Sequence, residues 1–203
     1  MDVGTAIGSI FAAVGLSGAA GLNAYLPLLV SAVLDRMDVV DMGEPFGSLS
    51  SNTGIAVLAA LFLADFVGDK IPGVDHVLHL VGTVIHPVSG ALLFVGQTGV
   101  ETHMPAAVAV ILGAVTAETL HGGRAPPRPA PPATTAGIGN PFLSLAEDVT
   151  SLALTIVAFA LPVLALIAVL VLLVMIVSGG PRPAARRAGG GGKGPSPATA
   201  RSA

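Results

Sequence analysis

The apolar run from Pro72 to Gln97 constrains this chain most, because it carries Asp75, His79, His86 and Gln97 at helical spacing. At about 100° per residue the four fall within roughly 40° of one another, with Gly82 and Gly90 on the same side. Hydrocarbon penalises such groups, so the stripe must face protein or water. A helix of this kind belongs inside a bundle, where the stripe marks a conduit or a binding cleft.

Composition sets the class. The chain is 53% hydrophobic and 10% charged, with a mean hydropathy of +0.84, far from the roughly 25% charged residues of a soluble domain. Its 203 residues allow about five or six membrane passes and leave nothing for a separate soluble unit. The expected fold is all-α, a polytopic transmembrane bundle of five to six spans with broken or kinked helices over residues 1–178. The stretch 179–203, rich in Gly, Pro and Arg, has too little apolar surface to fold and reads as a disordered cytoplasmic tail. The N-terminus lacks the basic region of a cleavable signal and reads as part of the first span. The sequence has no cysteine, which removes disulfides, thiolate metal sites and cysteine nucleophiles.

The first apolar segment, Gly4 to Leu34, would be about 46 Å long as one helix, more than the roughly 30 Å hydrocarbon core. It must tilt, break or protrude. Gly15, Gly18 and Gly21 followed by Asn23 and Pro27 mark either a break or a surface for close helix packing. Residues 35–52 form a polar loop, and a short span with Asp65 follows, stopping near Asp69 and Lys70. Asp75 is placed to cap the third helix, which holds Pro87. Met104 to Leu120 is the next span, with His121-Gly122-Gly123 as its stop. The loop Arg124 to Gly139 is rich in Pro, Ala and Thr. Asn140-Pro141 then has the form of an N-cap with proline at the first helical position. The apolar run from Pro141 to Val177 would reach about 55 Å as one helix, so Pro162 divides or kinks it.

Lysine and arginine give the orientation. With six passes and both ends inside, Lys70, Arg124, Arg128 and the five basic tail residues are cytoplasmic, and only Arg36 lies outside. With five, Lys70, Arg124 and Arg128 move out. The charge rule favours six. Leu61–Val67 also lies over Leu143–Val149 with shared leucines, alanine, an acid and valine, a faint sign of an internal repeat.

Several residues could carry chemistry. His79 and His86 are separated by about 10 Å along a helix and cannot readily share a metal ion. Asp75 and His79 lack a third ligand nearby, so no metal set, cofactor or catalytic constellation is read. A relay suits the geometry better, since histidine passes protons between carboxylates above and below it. Asp65, Glu118, Glu147 and Asp148 are the acids expected at membrane depth, with Asp65 and Glu147 in equivalent places of the repeat. Asp148 has a competing role as a loop anchor for Arg124 or Arg128. His76 and His103 fall at span ends. The basic tail has no aromatics for stacking on bases, which argues against nucleic acid and for anionic lipid headgroups.

Three segments carry a family resemblance: Gly21-Leu22-Asn23-Ala24-Tyr25-Leu26-Pro27-Leu28-Leu29, Asp69-Lys70-Ile71-Pro72-Gly73-Val74-Asp75, and Gly139-Asn140-Pro141 with Glu147-Asp148-Val149. Together they resemble an uncharacterised integral-membrane family, the domain of unknown function numbered four-one-two-six, over about Ala13 to Leu173. The resemblance implies a bacterial multi-pass membrane protein and supplies no activity. It suggests that the polar breaks at Asn23, at Asp69 to Asp75 and at Asn140 to Asp148 belong to one site.

The expectation from these readings is a secondary transporter or proton-coupled permease in a bacterial inner membrane. Asp65, His79, His86, Glu147 and Asp148 form its proton or ion pathway. Asn23, Tyr25, Asp69, Asp75 and Asn140 contact a small-molecule solute. Membrane lipids surround it, and the glycines of the first span offer a face for a homodimer. Two other readings stand beside it: a non-catalytic scaffold that organises lipid or a partner protein, and an intramembrane metal-dependent lipid enzyme.

Overall fold

The computed structural model describes residues 2–44, 46–68, 74–99, 102, 104–123 and 139–179, without the side chains of 74–79, 139–143 and 179. Among the described residues the secondary structure is helical throughout: α1 (Val3–Leu22), α2 (Leu26–Arg36), α3 (Phe46–Leu49), α4 (Asn52–Gly68), α5 (Val74–Gly99), α6 (Ala106–Gly123), α7 (Gly139–Ala160) and α8 (Pro162–Gly179). The chain is an all-α bundle. The expectations for Asp69, Lys70, His103, Arg124, Arg128 and the tail from 180 onward lie outside the described residues, as do those for the side chains of Asp75, His76, His79 and Asn140.

Cross-helix contacts give the direction of each element. As α1 advances through Ala13, Ser17 and Ala20, its partners on α5 retreat through Phe94, Gly90 and His86, so these two helices are antiparallel. On α6, Ala109 packs with Ala13, and the Ala117 carbonyl lies 2.5 Å from where a Gly21 Cβ would sit, so α6 runs with α1. On α7, Ala158 sits against Gly15, Ser151 bonds Ala19 and Asp148 bonds Asn23, which makes α7 antiparallel to α1. On α8, Ala165 meets Gly15 and Val169 meets Gly18, again parallel to α1.

The first apolar segment breaks rather than tilts. The chain leaves the helix at Asn23, and α2 starts at Leu26 with Pro27 in its first turn, where the missing N–H would have been orphaned anyway. The loop after α2 reaches the far end of α5, where the Gly43 N–H donates to the Gly96 carbonyl at 3.0 Å and Phe46 and Met42 pack on Gly96. Thus α2 doubles back along the bundle. At 11 residues it is about 16 Å long, half a span. Asp35 pins that loop, accepting the Met42 N–H at 2.8 Å and the Ser50 hydroxyl at 2.5 Å, while Arg36 donates to the Ser50 carbonyl at 3.1 Å.

Proline 162 divides the last apolar run. Ala158 and Ala165 both lie under 3 Å from where a Gly15 Cβ would be, whereas a straight helix would separate them by about 10 Å. Therefore α7 and α8 form a hairpin turning at Leu161. A turn in purely apolar sequence is tolerable because its polar groups are matched: Leu161 donates to the Val157 carbonyl at 2.8 Å and accepts from Leu164 and Ala165 at 2.9 and 3.1 Å. Pro162 brings no N–H to satisfy.

Packing follows the rule for lipid-immersed bundles, with small residues between helices and large apolar ones outside. Gly15, Gly18 and Gly21 of α1 are covered by Ala158 and Ala165, by Val169, and by Ala117 and Leu120. These glycines therefore serve close packing within the chain rather than the break, and their face is occupied by α6, α7 and α8 rather than open to a second copy. Outside, Leu63 and Val67 of α4, Val84 of α5, Ile111 and Val115 of α6 and Val174 of α8 are all more than half exposed. With Val3–Leu22, Leu80–Gly99 and Ala106–Gly123 long and apolar enough to cross a bilayer, the chain is a helical membrane protein. Helix bounds differ slightly from expectation: Asp75 and Asn140 fall inside the first turns of α5 and α7 rather than before them, and His121 lies in the last turn of α6.

The alternation of directions corrects the expectation of both ends on one side, because the break at Asn23 adds a reversal, and it yields a topology prediction. Val3 lies at one end of the bundle, and the ends of α6 and α8 lie at the other, because Ile176 packs where a Gly123 side chain would be. Reporters fused at the N-terminus and at the tail are expected on opposite sides of the membrane, with a reporter after His121 on the tail's side. Finding both termini on one side would remove the reversal at Asn23.

Candidate functional site

The polar groups of the bundle gather where α1 is interrupted. A helix ends with carbonyls that lack N–H partners, and the next begins with unmatched N–H groups. Asn23 addresses both sides of the gap. Its backbone N–H closes the last turn of α1 on the Ala19 carbonyl at 3.0 Å, and its side-chain Oδ1 accepts the N–H groups of Tyr25 and Leu26 at 3.0 and 2.9 Å. Its Nδ2 then donates to Asp148 Oδ1 on α7 at 2.8 Å. Asn23 and Asp148 are 3% and 7% exposed, so the bond is a buried charge-assisted one.

Neighbouring helices supply the other donors. Ser151, one turn further along α7, donates to the Ala19 carbonyl at 2.9 Å, and Ser17 on α1 donates to the Gly90 carbonyl at 2.9 Å. His86 Nδ1 lies 2.5 Å from the Ala20 carbonyl. Since a carbonyl only accepts, Nδ1 carries the proton and Nε2 is the nitrogen whose protonation can change. The carbonyls at the end of α1, the negative pole of that helix, thus receive a histidine and a serine.

His86 also stacks on His121 of α6, with ring centroids 3.9 Å apart and planes 25° from parallel. The pair joins α5 to α6 face to face. Gly82 makes room for it: a Cβ there would lie 3.2 Å from carbons of both rings.

Beside His86 a small crevice is lined by Ala24, Tyr25, Asp65, Val81, Gly82, Ile85 and His86, with ≈ 20 Å³ open to water centres. That is room for one or two waters. The crevice brings Tyr25 and Asp65 from the sequence-derived set to the same place as His86, and Asn23 with Asp148 lies on the other side of the α1 terminus. Glu147 is half-buried, one residue before Asp148 and so about 100° round α7 from it. Glu118 is half-buried on α6. The two segments of the faint repeat, in α4 and α7, run in opposite directions yet carry Asp65 and Glu147 at the same end of the bundle. An in-plane two-fold axis would put them at opposite ends.

Two participants escaped the sequence reading. His121 reads as a helix stop, and Ser151 reads as one of many small residues in an apolar run. A signal for His121 exists. A short connection makes α5 and α6 antiparallel neighbours, so pairing Gly90 with Gly113 as the small-residue contact sets a register that brings His121 to the level of Gly82 and His86.

The profile of a domain of unknown function (DUF4126) matches residues 10–180. No curated protein and no solved structure matches the chain.

Proposed function

We propose, for a chain that belongs to the DUF4126 family, that it is a secondary transporter or proton-coupled permease for a small polar solute, working from the interrupted end of α1. The observation that carries this reading is the bond between Asn23, which holds the break open, and the buried carboxylate of Asp148. Discontinuous helices with ionisable groups at the gap are how transporters place substrate and coupling ions within a membrane. In this reading Asn23 and Tyr25 meet the solute, with Asp69, Asp75 and Asn140 contributing from the neighbouring segments. Asp65, Glu147 and Asp148 hold the coupling cation or proton. His86, tied to α1 through Nδ1, exchanges protons through Nε2, and His79 extends that route along α5.

Orientation follows from charge. The connections leaving α4 and α6, and the chain beyond α8, start at the end of the bundle that holds Asn23. The sequence places Lys70, Arg124, Arg128 and five tail residues in those stretches and only Arg36 at the other end. The positive-inside rule assigns the Asn23 end to the cytoplasm of a bacterial inner membrane.

Proteoliposomes loaded with a pH-sensitive dye test the reading directly. Amino acids, carboxylates, polyamines, nucleosides and sugars are offered one at a time, and one class is expected to drive pH change in the lumen. His86→Gln keeps a side-chain N–H for the Ala20 carbonyl but cannot titrate. It is expected to fold normally and to slow proton movement by at least about tenfold, within the usual range for loss of a positioned proton carrier. If no class moves protons or solute through folded protein, and His86→Gln and Asp65→Asn alter only assembly, the scaffold reading takes its place.

A further inference from the structure

We infer that the seam between α2 and α5 is a path for protons carried on buried water, with Ser31, Ser89 and Gln97 as its hydrogen-bonding stations and Leu93 as its plug. The inference deepens the transport reading, on which the path's part in coupled movement rests. It starts from Ser31, which is 0% exposed and whose hydroxyl has no hydrogen-bond partner among the described residues. A hydroxyl inside a helix can donate to the carbonyl four residues earlier, as Thr98 and Thr155 do here at 2.7 and 2.8 Å. Ser31 makes no such bond. Buried polar atoms without a protein partner are where structural water sits.

The faces of the two helices bring a second hydroxyl to the same place. Ser31 shares its stripe of α2 with Asp35, one turn on. The Asp35 carboxylate holds the Met42 N–H, and Met42 packs on Gly96 of α5. On α5, Ser89 stands four residues after Ile85, which lines the crevice with Ala24 and Tyr25, and seven before Gly96. Positions four and seven apart share a helix face. Ser89, 2% exposed, therefore lies on the face of α5 turned to α2 and to the loop that follows it.

Depth agrees with direction. His86 sits beside Ala20, so Ser89 lies about 9 Å into the bundle from the break at Asn23, and Ser31, five residues into α2, about 8 Å. Gln97 is a further 12 Å or so along α5, and its Oε1 is also buried without a hydrogen-bond partner among the described residues. Polar stations thus continue from the crevice at His86 through about 21 Å of the roughly 30 Å hydrocarbon. One apolar side chain interrupts them. Leu93 is four residues from both Ser89 and Gln97, on the face between them, and is 0% exposed. A constriction of this kind closes a hydrated path by excluding water. Orphaned polar groups on both sides of a single apolar plug are the arrangement of a path held shut, not of a dry core.

Two measurements on the full chain in proteoliposomes test this. The sequence has no cysteine, so a single introduced thiol reports on one position. Silver ion captures the thiolate, which forms where water reaches and is suppressed in apolar surroundings. Ser31→Cys is expected to react at least about tenfold faster than Val84→Cys, on the outer, 63% exposed side of α5. In liposomes holding a pH-sensitive dye and offered no solute, Leu93→Ser is expected to pass protons at least about tenfold faster than the parent. Should Leu93→Ser fail to fold, Leu93→Ala also opens the plug and is expected to leak more than the parent.

Folded Ser31→Cys that reacts no faster than Val84→Cys overturns the inference. So does a folded Leu93 variant as tight to protons as the parent. The path and the transport reading fail separately. Solute-driven pH change in the parent with an unreactive Ser31→Cys keeps transport and removes this path. A reactive Ser31→Cys and a leaking Leu93→Ser, in a chain that answers to no solute, keep the path and remove coupled transport.

Discussion

Asn23→Ala is expected to lower the stability of the bundle by about 3 kcal/mol or more, the largest effect of any single polar substitution here. Three bonds depend on the carboxamide. Losing an acceptor for N–H groups at a helix start costs about 1 kcal/mol, and leaving a buried carboxylate oxygen without its donor adds about 1 to 3 kcal/mol or more. For a chain of this length that corresponds to a fall in thermal midpoint of roughly 10 °C. The effect is not confined to Asn23, because Asp148 Oδ1 has that one donor. A double-mutant cycle of Asn23→Ala with Asp148→Ala is therefore expected to show a coupling of about 1 to 3 kcal/mol, each change costing less once the other is made. Additive costs would mean that the two side chains merely lie near each other.

A comparable loss is expected from Gly113→Val, for a different reason. The helices α5 and α6 touch backbone to backbone at Gly90 and Gly113: a Cβ on Gly90 would lie 2.5 Å from both the Gly113 carbonyl and the Ala117 methyl, and a Cβ on Gly113 would strike the Gly90 carbonyl. Backbone cannot swing aside as a side chain can, so the helices must separate, at the upper end of the roughly 1 to 3 kcal/mol seen for overpacked cores. The separation also reaches the site, since His86 lies about one turn from Gly90 and His121 about two turns from Gly113 on the same two helices. Loss of the stacked pair, read from histidine ring chemical shifts, is expected to accompany the fall in stability. Gly8→Ala is the matched control: nothing lies within 4 Å of its added methyl, and within a helix the change is expected to be neutral or to stabilise by up to about 1 kcal/mol. Equal destabilisation by both would show that helix glycines matter here for some reason other than contact.

Much of this architecture is legible in the sequence because lipid imposes few choices. Apolar runs must be helices, and those longer than the bilayer must break at the residues that tolerate it. Asn23 and Pro162 are such places, and the chain does break at each. The purpose of the glycines was less legible. Gly15, Gly18 and Gly21 are compatible with a break or with close packing, and only the positions of Ala158, Ala165, Val169 and Ala117 decide for packing. The stripe on α5 correctly placed Gly82, His86 and Gly90 against protein, but a periodic pattern names a face and not what covers it. That His86 reaches the Ala20 carbonyl, and that His121 covers its ring, depend on the register of three helices. The internal similarity misled for a related reason: apolar helices with one acid match each other whichever way they run.

The central position of α1 has a consequence for biogenesis. It leaves the ribosome ahead of α2 to α8, yet the residues that cover its glycines belong to α6, α7 and α8, made well after it. Between Leu22 and Gly179 the ribosome adds well over a hundred residues, on the order of ten seconds or longer at ordinary translation speeds. Throughout that interval the nascent α1 presents a flat, small-residue surface and an unsatisfied terminus to whatever surrounds the insertion machinery. Chains halted after α6 should consequently be cleared by membrane proteases, and only completion of the last hairpin should confer resistance.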